Sequence, residues 1–322
     1  MSWEPNCDVD TARARAGMLE RARRFFKNRN VLEVSTPTLT ETPVTDPNIE
    51  SVTANVSGRT MYLQTSPEYF MKRLLAAGYP DCYQTCPVFR DGEAGRNHLP
   101  EFTMIEWYRR DFTLTDIIGE ATALATELVT SLDLRSLVTM KYRDAFQDAL
   151  GIDPLSADIG QLADAVGADD DLRRALGGDR DAWLDLAMAS RVAGSFANDR
   201  ITAIHHYPAS QAALARLSPD DARLAERFEL YVGEHELANG FVELTDAGIQ
   251  ERRFESDREK RTAAGKPVHE IDGNLIAALA AGLPACAGVA LGLDRLLMID
   301  RDLRDIRETV TFVPGGPNND DN

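Results

Sequence analysis

The chain lacks both loops that proteins commonly use to cradle nucleotide phosphates: it has no G-x-x-x-x-G-K-[ST] and no strand-linked G-x-G-x-x-G. It is also poor in positive charge. Lys and Arg number 35 against 52 Asp and Glu, a formal net charge of −17. Such a body repels polyanions unless a local basic patch intervenes, so a tRNA or DNA partner starts at a disadvantage. Cysteine is scarce. Cys7, Cys82, Cys86 and Cys286 form no C-x-x-C pair and have no histidines at zinc-ligand spacing. That excludes a structural zinc site and favours a reduced, cytoplasmic compartment over a disulfide framework. The start, MSWEPNCDVD, has neither the basic residues nor the apolar run of a signal peptide. One run, residues 274–293, carries no charge and is long enough to raise the question of a membrane span. Gly282-Leu283-Pro284 breaks it, so it reads as a buried helix, a turn and a buried strand, with no membrane partner.

What is present is enough for a large core: 322 residues, 43% of them hydrophobic. In TARARAGMLERARRFFKNR, residues 11–29, Ala14, Met18, Leu19, Ala22, Phe25 and Phe26 recur at helical spacing with arginines opposite. The following VLEVSTPTLT is β-branched and interrupted by Pro37, which suits a sheet edge. Residues 59–65 predict a strand. SPEYFMKRLLAAG predicts a helix capped by Ser66, with Pro67 first and Gly78 beyond its end. Residues 115–200, rich in Ala, Leu and Asp, predict a helical insertion broken at GIDPLSAD and GGD, with no repeat and no recognisable chemistry. RFELYVGEHELANGFVEL alternates about Gly233-Glu234 as a hairpin would, setting Glu229 and Glu236 on neighbouring strands with side chains on one face. Two carboxylates so placed repel unless a cation joins them. The Pro-, Gly-, Asn- and Asp-rich end predicts a disordered tail at 315–322. Helix, strands, helical insertion, strands and helix together predict an α+β fold on an antiparallel sheet over residues 1–314.

The stretch VFRDGEAGRNHLPEFTMIEWY, residues 88–108, joins two strand-length segments by a loop too long for a tight hairpin. Such a loop can fold over a ligand lying on the sheet. Period two puts Phe102, Met104, Glu106 and Tyr108 on one face. Arg90, Phe102 and Glu93 suit a phosphate, a flat base and its exocyclic amine. Taken alone, the same charges could merely keep an exposed loop soluble.

Three segments carry a resemblance. FR-(loop)-PEFTMIEWY resembles motif 2 of the class II aminoacyl-tRNA synthetases, GVALGLDRLLM at 288–298 resembles motif 3, and the helix and strand ending in EVSTPTL resemble motif 1. With TSPEYFMKRL and ELANGFVELTD, the chain is similar to the lysyl branch of that class. The resemblance implies an antiparallel sheet flanked by helices, with motif 1 at a homodimer interface. Within the branch it is similar to stand-alone paralogues that attach β-lysine to a lysine of translation elongation factor P. The motif 1 helix begins almost at the first residue, leaving no place for an anticodon-binding domain of roughly a hundred residues. YPASQAAL at 207–214 matches the paralogues' Pro-x-Ser-Gln wording, and Ala290 stands where lysyl-tRNA synthetases carry glycine. One methyl group in a close-packed amino acid pocket can change which isomer fits.

The resemblance also implies roles. Arg90 holds the α-phosphate and the amino acid carboxylate, where charge develops during attack, and Arg295 closes on the phosphates from the other side. Glu93 takes the adenine amine, Phe102 stacks on the ring, and His98, Leu237 and Gly292 complete the ATP site. Glu229 and Glu236 share Mg²⁺. Ser66, Glu68, Tyr108 and Glu243, with Ala290, surround the amines of lysine or β-lysine. Glu243, in a glycine-adjacent apolar strand, needs a cationic partner, and a bound lysine supplies one. One departure is Leu99, where the family has asparagine; the lost polar contact is worth about 1 kcal/mol. The implied activity is an ATP-dependent ligase that forms an aminoacyl-adenylate and passes the acyl group to elongation factor P, with no tRNA. Charging of tRNA or a small carrier, and a non-catalytic regulatory paralogue, are the alternatives. Arg90, Glu229, Glu236 and Arg295 argue against the last.

Overall fold

In the computed structural model, which describes residues 3–313, the first amphipathic segment folds as helix α1, Val9–Lys27. Asp8 caps it by accepting from the Thr11 amide, and Met18, Ala22, Phe25 and Phe26 are buried. Two short strands follow, β1 (Leu32–Glu33) and β2 (Leu39–Thr40), then β3 (Thr53–Val56) and β4 (Arg59–Leu63). β2, β4 and β3 form a small three-stranded sheet. Helix α2 (Glu68–Ala76) begins one residue later than the sequence predicts. Pro67 is its cap residue, and Ser66 Oγ accepts from the Glu68 amide at 3.0 Å.

The next elements are β5 (Cys82–Phe89), β6 (Glu101–Arg110), α3 (Leu114–Leu128), β7 (Leu137–Lys141), α4 (Tyr142–Leu150), α5 (Ile159–Val166), α6 (Asp170–Leu176) and α7 (Arg180–Ala187). They are followed by β8 (Ile201–Pro208), β9 (Leu224–Val232), β10 (His235–Val242), α8 (Ala247–Ala263), α9 (Gly273–Gly282), β11 (Cys286–Gly292) and α10 (Leu293–Asp300). The main sheet has eight strands in the order β1-β5-β6-β11-β10-β9-β8-β7. Its interior pairs are antiparallel, and the two edge pairs, β1 with β5 and β7 with β8, are parallel. α1, α3 and α10 bury Phe26, Ile117, Leu124 and Leu296 against one face, where Trp107, Leu230 and Val289 meet them. Next to it, α2, α8 and α9 pack through Met71, Leu75, Phe254, Leu275 and Leu279.

The segment expected to be one helical insertion divides. α3 belongs to the main core because Ile117, Ala121, Leu124 and Leu128 form a buried helical stripe. β7 extends the sheet. Only α4 to α7 form a separate cluster, built around Phe146, Leu162 and Trp183 and seated on Ile204, Tyr207 and Tyr231 of the sheet. The uncharged run at 274–293 becomes α9, a turn and β11. Among the described residues no helix is long and apolar enough to cross a membrane. All four cysteines are free and buried. The tail predicted at 315–322 lies outside the described residues.

Candidate active site

Antiparallel pairing lines up one row of side chains across five strands: Gln84, Glu106, Ala290, Asn239 and Glu229 are successive partners. The neighbouring row is Cys82, Tyr108, Gly288, Phe241 and Arg227. Most of these residues floor a cavity of about 1140 Å³. The face predicted by period two in β6 is therefore real. Glu236 and Glu243 also line the cavity, although seven residues separate them and strict alternation would put them on opposite faces. A β-bulge resolves the conflict. Glu236 pairs with Tyr231 and Ala238 with Leu230, so Leu237 is the extra residue.

At one end the cavity is cationic and aromatic. The Arg90 guanidinium lies 5.2 Å from the centre of the Phe102 ring and 3.6 Å from Glu93, and its buried Nε has no hydrogen-bond partner. Arg295 faces the same space. Its Nη1 donates to the Glu236 carbonyl at 2.9 Å, and its Nη2 lies 2.7 Å from His98 Nε2. Partial burial, reinforced by Arg295, pushes the His98 pKa down. Glu93 lines the cavity, whereas exposed Asp91 turns back to accept from the Gly92 amide. Arg295 is rooted by its neighbour Asp294, which is buried and accepts from the Thr103 amide at 2.6 Å and from Arg15 of α1. Gly292 lines the cavity just before α10. Leu237 lines the cavity as well, while its side chain, 2% exposed, packs in the hydrophobic core. Leu99 packs with Met298 and Ile306 in an apolar cluster.

Glu229 and Glu236 do share a sheet face, but Glu229 does not line the cavity. It accepts from Arg227 at 2.6 Å, from the Tyr207 hydroxyl at 2.6 Å and from the Tyr231 hydroxyl. Those donors fill three of about four acceptor positions on a carboxylate. Burial and then the Glu229 charge raise the Glu236 pKa. Among the described residues no group of three or more His, Cys, Asp or Glu is arranged to hold a metal ion. The donor set still fits a hard divalent cation: Glu236 faces the cavity with its Oε2 3.7 Å from Arg295 Nη1, Glu229 retains one position, and a cation would relieve their repulsion.

The other end is acidic. Glu106, 2% exposed, accepts from Ser66 Oγ at 2.6 Å and from the Tyr108 hydroxyl at 2.7 Å. Burial, then the Glu68 charge, pushes its carboxyl up to about 7. Glu243 is raised by burial to about 8, against the opposing effect of Lys72. Lys72 corrects an expectation: the cation beside Glu243 comes from the chain itself. Its Nζ lies 2.6 Å from Glu68 Oε1 and 2.6 Å from Glu243 Oε2. Even so, Glu243 Oε1 lacks a hydrogen-bond donor. Gly288 keeps this end open, since a Cβ there would come within 2.4 Å of the Tyr108 ring and 2.5 Å of Glu243 Oε1.

Sequence reasoning gave no role to Lys72 or Glu106. Glu106 was on the predicted face, and Lys72 is four residues after Glu68 on one helix, the spacing of an ion pair. It also missed a third contribution. Asp179, Asp181 and Asp185, from a segment expected to carry no chemistry, line the cavity rim. Ser210 donates to Asp181 and Gln211 to Asp185, each at 2.6 Å. Burial pushes Asp185 up to about 6, with Arg227 opposing it.

The description "tRNA synthetases class II (D, K and N)" matches residues 9–314. The chain is 44% identical over 316 residues to a protein of Avibacterium paragallinarum named elongation factor P–(R)-β-lysine ligase, covering 96% of this chain and 97% of that one. Relatives of the same name from Klebsiella pneumoniae and Salmonella gallinarum are 45% and 44% identical over 320 residues, each covering 97% of both chains.

Proposed function

Because the chain belongs to the class II tRNA synthetases of the D, K and N type, we propose that it is an ATP-dependent, AMP-forming ligase that joins lysine or (R)-β-lysine to a lysine of elongation factor P. One observation carries the reading: a single cavity has a cationic end with an aromatic platform and, on the same sheet face, an acidic end built from Glu68, Glu106 and Glu243. ATP fits the first and a diamino acid the second. The relatives' name supplies the acceptor.

Arg90 would orient the amino acid carboxylate against the α-phosphate, and Arg295 would hold the outer phosphates. As the carboxylate oxygen bonds to phosphorus and pyrophosphate leaves, the two guanidinium groups stabilise the added charge. Phe102 offers the adenine a stacking surface, Glu93 accepts from its amine, and His98 holds Arg295 in place. Ser66 and Tyr108 orient Glu106 toward a substrate amine. Ala290, the cross-strand partner of Glu106, sets the depth of that pocket and hence the preferred isomer. Glu236, with Glu229, would hold Mg²⁺, which when bound neutralises and clamps the phosphates. In the second step the acceptor amine, having lost its proton, attacks the acyl carbon, AMP leaves and an amide forms.

The reduced cysteines favour the cytoplasm. A homodimer through motif 1 is supported by Leu32 of β1 and Leu39 of β2, which remain 43% and 37% exposed. Charging of tRNA or a small carrier, or a purely regulatory role, has less support, because the relatives are named as protein ligases and both arginines face the cavity.

Incubation with labelled β-lysine, MgATP and either elongation factor P or tRNA tests the reading. Alkali-stable label on one lysine of the factor is expected. Alkali-labile label on tRNA, with the factor untouched, would overturn it.

A further inference from the structure

We propose that Lys72 is a built-in counter-ion that sets the charge of the acidic end to match a ligand carrying two ammonium groups, with Glu68 as its permanent partner and Glu106 and Glu243 left for the ligand. This rests on the reading of the cavity as a lysine-activating site and assigns a role to a residue outside the substrate-contacting set.

The side chain of Lys72 is 1% exposed and lies between two carboxylates at 2.6 Å. The two contacts are equal in length, but Glu68 lies one turn before Lys72 on the same helix, whereas Glu243 directly follows β10. Glu243 Oε1 is a buried acceptor without a donor, which is the state of a side chain awaiting a ligand donor. Glu106 is bound only by the neutral hydroxyls of Ser66 and Tyr108. With all three acids ionised and Lys72 protonated the cluster carries −3 + 1 = −2. A lysine or β-lysine whose carboxylate lies at Arg90 brings two positive charges. In a buried site a mismatch of even one charge is strongly unfavourable.

The empty cluster meets this demand with protons, since Glu106 and Glu243 are raised to about 7 and about 8. The other titratable groups facing it, Tyr69 of α2, Tyr108 of β6, Cys82 and Cys86 of β5 and Cys286 of β11, are all pushed up by burial and stay neutral. A diammonium ligand therefore displaces protons when it binds. Removing Lys72 raises Glu243 further, because the lysine's charge and hydrogen bonding both lower it.

Calorimetric titration with lysine at pH 7, in two buffers of different ionisation enthalpy, reads affinity and protons released together. K72M is expected to bind lysine about tenfold or more weakly and to release more protons, in line with a shift of one pKa unit or more. The double variant K72M/E68Q, which restores the charge of −2, is expected to return to within about threefold of the unmodified protein, well inside one pKa unit. Equal affinity and proton release for K72M and the unmodified protein would overturn the proposal. So would a double variant that binds no better than K72M. Thermal denaturation checks folding, and if K72M does not fold, the double variant alone decides by the same threefold criterion. Binding is measured without ATP or acceptor. A protein that binds lysine this way yet supports no lysine-dependent pyrophosphate exchange would refute the activation and leave the counter-ion in place.

Discussion

Leu99 shows how far one side chain can move a site away from its family. The asparagine expected there is polar, but Leu99, at the edge of the cavity, packs on Met298 and Ile306. Restoring the amide in Leu99→Asn would bury a group with no partner among those neighbours, at a cost of about 1–3 kcal/mol. The expected outcome is a lower thermal midpoint with an unchanged KM for ATP. A tighter KM at an unchanged midpoint would mean that the amide regains a polar contact in the cavity. Lys72 teaches the complementary lesson. A carboxylate in an apolar strand did signal a cationic partner, but the sequence could not say whether ligand or chain provides it, because that depends on how α2 lies over β10 and β11.

Strands β10 and β11 matter through what they leave out. Gly288 is the floor under Tyr108 and Glu243, and a methyl group there has no room on either side. Gly288→Ala is expected to displace the Tyr108 ring and Glu243 and to raise the KM for lysine at least about tenfold, since misplaced polar groups in a buried site lose most of their contribution. ATP affinity should change little. Equal losses for both substrates in exchange kinetics would point to general damage to the sheet. The motifs, the hairpin at Gly233-Glu234 and the face of β6 were legible because they follow local periodicity and turn chemistry. The bulge at Leu237 was not, since alternation alone puts Glu236 and Glu243 on opposite faces and nothing in HELANGFVE marks an extra residue. α3 was misassigned for a similar reason: its stripe is as clear as that of any insertion helix, and only the sheet behind it decides where it belongs.

Across the whole molecule the raised acids couple stability to pH. Glu106 and Glu243 have folded pKa values of about 7 and about 8 against an ordinary 4.5, so the folded chain holds protons that the unfolded chain has lost. Their contribution to stability is complete below 4.5 and is lost as pH rises through those two values. The ligand-free protein should therefore melt at progressively lower temperature from about pH 5 to about pH 8, and the stabilisation by added lysine should grow over the same window. Glu243→Gln should flatten both trends, and scanning fluorimetry across that range is the check. The buried cysteines have a quite different consequence. Cys82 and Cys86 are 0% and 7% exposed, and their thiols are pushed up to about 12, so almost no thiolate is present to meet a reagent. Cys7 and Cys286 are buried as well. The molecule is thus a silent background for thiol chemistry: a cysteine introduced on the exposed rim would take a fluorophore quickly and alone, giving an optical reporter of the acceptor's arrival without first stripping out the native sulfur.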